Sequence, residues 1–416
     1  MIRRGLARIM GAALLFAVSA ILASPADAES AMRYNVVSFI DQTGPESTLG
    51  AQLQVVLGPM VEWWNRTRGA KIGVQLDLKT YDGGSDALRV LSQWVSVRTS
   101  DRPIAVLPNH GVHSEALAPR MRQDKVPGIF AVTHPWVWQP NGWQFAIQPT
   151  YPEMIAAWLQ YYHDHNFKGA DPMKVGWLTA PDNIRMVQLQ RGLEKWLSSP
   201  GVGGKIKIVD VEQIANQPTD LTPQVQKLLD AKVDAMYGGY LPQHVQAVVA
   251  AFGKIGARAP FITNAPASIG TILQANPTAN LNQMYTSAGF RLPEDLGSDD
   301  ELADLTKIID ENIGRAKVTG NGMTGIATEL LLFAAVERVV KEAGPAGVTP
   351  ELMYKELSTG CFSAKDLLGL TGDRCYDPSR GGAPKNSQVA IYQFNNGKTS
   401  GYGGNWVDIP AMDNPF

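Results

Sequence analysis

The stretch IAVLPNHGVHSEALAP, residues Ile104–Pro119, decides how the rest of the chain is read. Ile104–Leu107 is a short apolar run bounded by Pro103 and Pro108, which predicts a buried strand. A loop containing Gly111 follows, and Ser114, Glu115 and the helix formers Ala116–Leu117–Ala118 open a helix. Strand, glycine-containing loop and helix start thus come in order, with Ser114 as the expected N-cap. A helix start presents free backbone N–H groups and the positive end of the macrodipole. It can therefore hold an anion, often a carboxylate, without a cationic side chain. Asn109, His110 and His113 crowd three more polar groups into the same loop, which weighs toward a binding site against an ordinary capped turn.

The same unit recurs outward in both directions. Tyr34–Ile40 reads as a first strand, with a loop centred on Thr43-Gly44-Pro45 and a helix over Ala51–Asn65. Val74–Thr80 alternates as a second strand, followed by the loop Tyr81–Ser85 and a helix over Asp86–Val97. Gly128–Thr133 is the next strand on the far side. Pro149 and Pro152 interrupt the rhythm, which restarts with a helix over Glu153–Asn166. Strands over Lys174–Thr179, Lys205–Val211, Asp234–Gly238 and Pro260–Thr263 then alternate with helices over Ile184–Ser198, Thr222–Ala231 and Gln243–Gly256. Alternation of this kind predicts parallel sheets covered by helices on both faces, with right-handed crossovers that gather the strand-to-helix loops along one edge. The restart predicts a second lobe of the same class. Strand Met284–Gly289 and helix Glu301–Asn312 read as a return to the first lobe. A long helix over Thr328–Gly344 and a final strand over Ser387–Phe394, ending in a turn at Asn395-Asn396-Gly397, complete the chain.

A length of 416 residues exceeds one ordinary core. The formal net charge of -2, without a basic block, gives no support for nucleic-acid binding. Residues 1–28 read as a signal peptide: Arg3, Arg4 and Arg8 precede an apolar run over Ile9–Ala23, and Ala26-Asp27-Ala28 is a cleavage signal. Export is expected to place the chain in an oxidising compartment, where Cys361 and Cys375, the only two cysteines, are expected to pair. No later run is long enough to span a membrane, so no direct membrane insertion is expected.

The order of elements resembles the type I periplasmic solute-binding proteins, in their branched-chain amino acid and amide branch. The resemblance is carried by the Thr43-Gly44-Pro45 loop, Tyr81-Asp82, Ser114, Val126-Pro127 and, most specifically, Val233–Pro242 (VDAMYGGYLP) with Ile255-Gly256 and the strand from Pro260. It covers nearly the whole mature chain and implies an α/β fold: two Rossmann-like lobes with parallel central sheets, joined by a three-crossover hinge. The implied lobes are 29–148 plus 288–357 and 149–287 plus 358–416. A small ligand would be enclosed between them, no cofactor is expected, and a membrane permease of an ABC importer would read a monomeric receptor. In that family a serine at the place of Ser114 and a hydroxyl after the fourth strand, here Thr133, grip a carboxylate, and a tyrosine at the place of Tyr240 lines the second lobe. The acidic residue that holds an ammonium in the α-amino acid binders is missing: the loop reads Thr263-Asn264-Ala265-Pro266. A buried unpaired ammonium is costly, which argues against a zwitterionic amino acid held in the usual way, although Glu46, Glu115 or Asp182 could substitute.

Other residues expected to meet the ligand are Leu49, His110, His113, His134, Trp136, Tyr151, Asn183 and Asn264. Trp136, Trp138 and Trp143 read either as an aromatic wall or as a local core under a loop. His163 and His165 read as a solvated helix end. His110, His113 and His134 could approach one another, but no carboxylate or cysteine stands at a recognised spacing, and no metal is expected. Neither a nucleophile elbow, a zinc-protease motif nor a P-loop occurs, which argues against an enzyme. The chain reads as a solute receptor. An exported sensor or a Ser114 hydrolase are the alternatives.

Overall fold

The computed structural model describes residues 31–264, 283–385, 387–395, 398–412 and 416, without the side chains of 132, 133, 395 and 398–405. The expected signal peptide, and the turn residues Asn396-Gly397, lie outside the described residues.

Two sheets organise the chain. The first has the strand order β2 (Val74–Asp82), β1 (Met32–Ile40), β3 (Ala105–Pro108), β4 (Gly128–Thr133), β5 (Gln144–Thr150), all parallel. Alternation along β1 sends Val36 and Ile40 to one core and Val37 and Phe39 to another. The first core packs against α1 (Ser47–Trp64), and the second against α2 (Ala87–Ser100) and α3 (Gly111–Asp124). Beyond β5, α4 (Tyr151–His165) leads into the second sheet. Its order is β7 (Ile206–Gln213), β6 (Met173–Thr179), β8 (Ala235–Tyr237), β9 (Phe261–Thr263), β10 (Met284–Ala288), extended by antiparallel β13 (Gln388–Asn395) and β14 (Lys398–Asp408). Helices α5 (Ile184–Leu197), α6 (Thr222–Asp230) and α7 (Pro242–Ile255) join its parallel strands. Among the described residues no helix is long and apolar enough to cross a membrane.

In chain order both sheets repeat the arrangement second-first-third-fourth-fifth. Each therefore has a switch point where the crossovers reverse direction, between β1 and β3 and between β6 and β8. The two-lobed α/β architecture agrees with expectation, and several elements correct it. β5 is a full strand, buried along its whole length, where the sequence shows only a proline break. Strand Met284–Ala288 does not return to the first lobe but pairs with β9 in the second sheet. The return comes after Gly289, where Phe290 and Leu292 join the first core with α8 (Ala303–Asn312), α9 (Gly320–Ala343) and α10 (Pro350–Thr359). Helix α9 begins at Gly320, capped by Thr319, eight residues before its expected start at Thr328. The segment after α10 holds β11 (Cys361–Phe362) and β12 (Arg374–Cys375), bridged by the Cys361–Cys375 disulfide. Its residues Phe362, Leu367, Leu370 and Tyr376 pack in the first core, whereas the sequence reading assigned 358–416 to the second lobe.

The chain passes three times between the lobes, and Arg374 binds these passages together. Its buried guanidinium donates to the carbonyls of Ile147 (2.6 Å), Gly289, Gly372 (3.2 Å) and Asp373 (2.9 Å). Tyr376 donates to the Ala146 carbonyl (2.8 Å), and Gln148 accepts from the Gly289 N–H (3.1 Å). All three hinge strands are thus cross-tied by side chains that satisfy otherwise buried backbone groups.

Candidate functional site

Loops following β1, β3, β4, β6, β8 and β9 meet across a cleft of about 530 Å³ between the two lobes, at both switch points. The first lobe supplies Glu46, Leu49, His110, Glu115, Phe130 and His134. The second supplies Tyr151, Asp182, Asn183, Arg185, Tyr240 and Asn264.

Of the residues expected to meet the ligand, Leu49, His110, His134, Tyr151, Asn183, Tyr240 and Asn264 line this cleft. Ser114 and His113 do not: both are fully buried behind the wall. The reason lies in where α3 starts. His110, not Ser114, is its N-cap residue, so Ser114 stands one turn inside the helix and points into the lobe. Its hydroxyl meets His134 Nε2 at 2.6 Å and donates to Gln144 Oε1 (3.1 Å), while Gln144 Nε2 donates to the Ser114 carbonyl (2.5 Å). The helix also runs through Pro119 to Asp124. The Thr133 side chain lies outside the described residues. The tryptophans scatter: Trp136 is 41% exposed and away from the cleft, Trp138 lies under the Arg380 guanidinium (4.2 Å), and Trp143 stacks on Tyr354 (4.0 Å). They make no aromatic wall. Tyr151 and Tyr240 do, with ring centroids 5.1 Å apart at 84°.

The sequence reading missed Arg185. It sits in the first turn of α5, after Asn183, whose side chain accepts from the N–H groups of Arg185 and Met186. A cation there opposes the helix dipole, and this is the one local signal that marked it out. Among the described lining residues it is the only Lys or Arg. It forms an ion pair with Glu115 across the cleft, so first and second lobes are joined by charge as well as by the hinge.

Burial sets the protonation of the remaining polar groups. It pushes His110 down to about 4 and His134 down to about 3, so both rings are neutral at physiological pH. Burial, reinforced by the nearby Asp41, raises Glu46. Asp41, at the end of β1, is lowered to about 2: burial opposes ionisation, but the close approach of His113 and two bonds from Ser85 outweigh it. Among the described residues, the buried Asn264 has no partner for either amide atom, and neither has His134 Nδ1. Groups left so in a cleft wall are ready to bind something placed there.

Solved structures share this architecture. A substrate-binding protein of an ABC transporter from Aeropyrum pernix superposes with a TM-score of 0.75 at 17% identity, covering 92% of this chain and 98% of that one. A branched-chain amino acid ABC transporter protein from Thermus thermophilus, with bound valine, gives 0.70 at 17% identity, covering 92% and 97%. A fatty acid ABC transporter substrate-binding protein from Thermomonospora curvata gives 0.70 at 16%, covering 92% and 93%. No curated protein matches the sequence. The family model described as periplasmic binding protein matches residues 34–399, and with the two lobes, three crossovers and interlobe cleft in place, the chain belongs to that family.

Proposed function

We propose that this solute receptor binds a small organic ligand with a carboxylate or comparably strong acceptor at one end, and hands it to the membrane permease of an ABC importer. The observation that carries the reading is the interlobe cleft with Arg185 as its one Lys or Arg among the described lining residues. The Arg185 guanidinium offers a planar fork suited to a carboxylate. Tyr151 and Tyr240 cover an apolar or aromatic body, and Asn264 offers a donor and an acceptor to an amino-acid- or amide-like group. Glu46 and Asp182 are the acids available to a donor on the ligand, while Glu115 is paired with Arg185. Ser114 has no share in this grip, being fully buried. The same burial deprives a hydrolase of its nucleophile, since an acyl group in the cleft could not reach the hydroxyl. Lobe closure would be a population shift driven by contacts that exist only when the lobes meet. The mature receptor would begin near Glu29 and act as a monomer.

A thermal-shift screen of carboxylates and amides identifies the ligand, because a compound at a hundred times its Kd adds about 2.7 kcal/mol of stability. Calorimetry on Arg185→Met should then show affinity weaker by about 1.5–3 kcal/mol, the range for hydrogen bonds to a charged group. Unchanged affinity in that variant, or a ligand without any acceptor, would overturn the anion grip.

A further inference from the structure

On the first-lobe side of the cleft three polar groups converge, of which only His110 reaches the cleft wall. Asp41 directly follows β1, His110 is the N-cap residue of α3 and His113 lies in its first turn, so the switch point of the first sheet brings all three together. A carboxylate oxygen of Asp41, a ring nitrogen of His110 and one of His113 all lie within 4.8 Å of one another. Asp41 Oδ1 is 2.9 Å from His113 Nε2, and Asp41 Oδ2 is 3.5 Å from His110 Nδ1. Neither approach is aligned as a hydrogen bond: His110 Nδ1 and His113 Nε2 are both buried without a hydrogen-bond partner among the described residues. Asp41 is 3% exposed, and among the described residues its ion-pair partners are these two imidazoles alone, with no Lys or Arg. A buried carboxylate facing two buried, unbonded ring nitrogens is an arrangement short of a cation.

We infer that Asp41, His110 and His113 form a binding site for a divalent first-row transition-metal ion. One carboxylate and two imidazoles without a thiolate suit zinc, cobalt, nickel or copper, whereas calcium and magnesium require a shell of oxygens. The carboxylate is already oriented: Ser85 donates its N–H to Oδ1 (2.6 Å) and its hydroxyl to Oδ2 (2.6 Å), and each oxygen keeps a lone pair for a metal. The His113 ring is held against Gly83, where a Cβ would come within 2.1 Å of Nε2. Three protein ligands leave a coordination position open, as in exchangeable and not in closed structural sites. His110 also lines the cleft, which places that site next to the ligand chamber. His113 Nδ1 lacks the outer acceptor that usually strengthens a metal-bound imidazole, so the affinity is expected to be moderate.

Zinc and cobalt, added to the tag-free, chelator-stripped chain in calorimetry and in visible absorption, test the site. The expected result is one Zn²⁺ per chain, with a cobalt spectrum that zinc abolishes and that Mg²⁺ or Ca²⁺ leaves alone. Asp41→Asn and His110→Ala should each weaken zinc binding by at least about a hundredfold. His110 is only partly buried, so its truncation keeps the fold, and circular dichroism verifies this for both variants. The control is His163→Ala, at a half-buried imidazole between Asp164 and Asp171, which should leave zinc binding unchanged. No stoichiometric zinc, binding lost in His163→Ala but kept in His110→Ala, or equal competition by Ca²⁺ would each overturn the site.

Discussion

Asn264 shows what a single residue contributes to a receptor at its own expense. Its amide is buried at the edge of β9 and, among the described residues, unbonded, and an unsatisfied buried amide costs about 1–3 kcal/mol. Asn264→Leu should therefore raise the stability of the ligand-free protein by about 1 kcal/mol while weakening ligand binding, and paired denaturant and calorimetric titrations measure both. A variant that lost stability and kept full affinity would remove Asn264 from the site. Glu329 presents the titratable version of the same cost. It is fully buried in α9 with both carboxyl oxygens unpartnered among the described residues, and burial raises it well above its ordinary 4.5. A folded-state pKa above the unfolded one means that the contribution to stability is complete below about pH 4.5 and is lost as pH rises toward the folded-state value. Glu329→Gln removes that loss. Relative to the parent, its stability should climb with pH above 4.5, by up to about 1.4 kcal/mol per unit. Parallel pH-stability curves for the two proteins would contradict the assignment.

At the scale of elements, the hinge rests on one cation. Arg374 satisfies carbonyls in β5, in the segment after β10 and in its own strand's approach. Burial lowers its pKa to about 10, which still leaves it charged. Arg374→Met keeps an unbranched apolar stem, shorter than the native side chain, and strips every donor from those carbonyls. Hydrogen bonds to charged groups are worth about 1.5–3 kcal/mol each, so a loss of at least about 3 kcal/mol is expected. Hydrogen exchange should show it first at Ile147 and Gly289. A second element-scale effect concerns α1, which packs on the end of β1 at Gly50, where an added Cβ would come within 1.8 Å of the Asp41 carbonyl. Gly50→Ala should cost about 1–3 kcal/mol as helix and strand are forced apart, the usual range for overpacking. Chemical denaturation measures that loss.

The whole molecule adds a charge contact between its lobes. Glu115 of α3 and Arg185 of α5 belong to different sheets and meet only because the cleft is narrow. Both are partly solvent-accessible, so the pair is worth no more than about 1 kcal/mol, or about a fivefold bias between open and closed populations. Glu115→Gln should shift the ligand-free protein toward open forms, visible as a larger radius of gyration in X-ray scattering. A radius identical to the parent's would show that the hinge alone sets the closure.

Local pattern was enough for the βα alternation, the division into two lobes of one class and the pairing of Cys361 with Cys375. Apolar runs, loop glycines and the spacing of two cysteines are written in neighbouring residues, and short-range sterics and hydrophobic burial act on them directly. Loops such as those of His110, Tyr240 and Asn264 were legible as a cleft wall because open α/β sheets always present that edge. Tertiary structure alone decided the rest. Three hydroxyl- or imidazole-bearing positions in one short loop look equivalent in sequence, yet one turn of helix sends Ser114 and His113 inward and leaves His110 facing out. β5 carries no alternation because both its faces are buried, so only its partner β4 defines it. Arg185 meets Glu115, and Asp41 meets His113, across separations of about seventy residues. Such encounters depend on strand order and crossover handedness, which no local window contains.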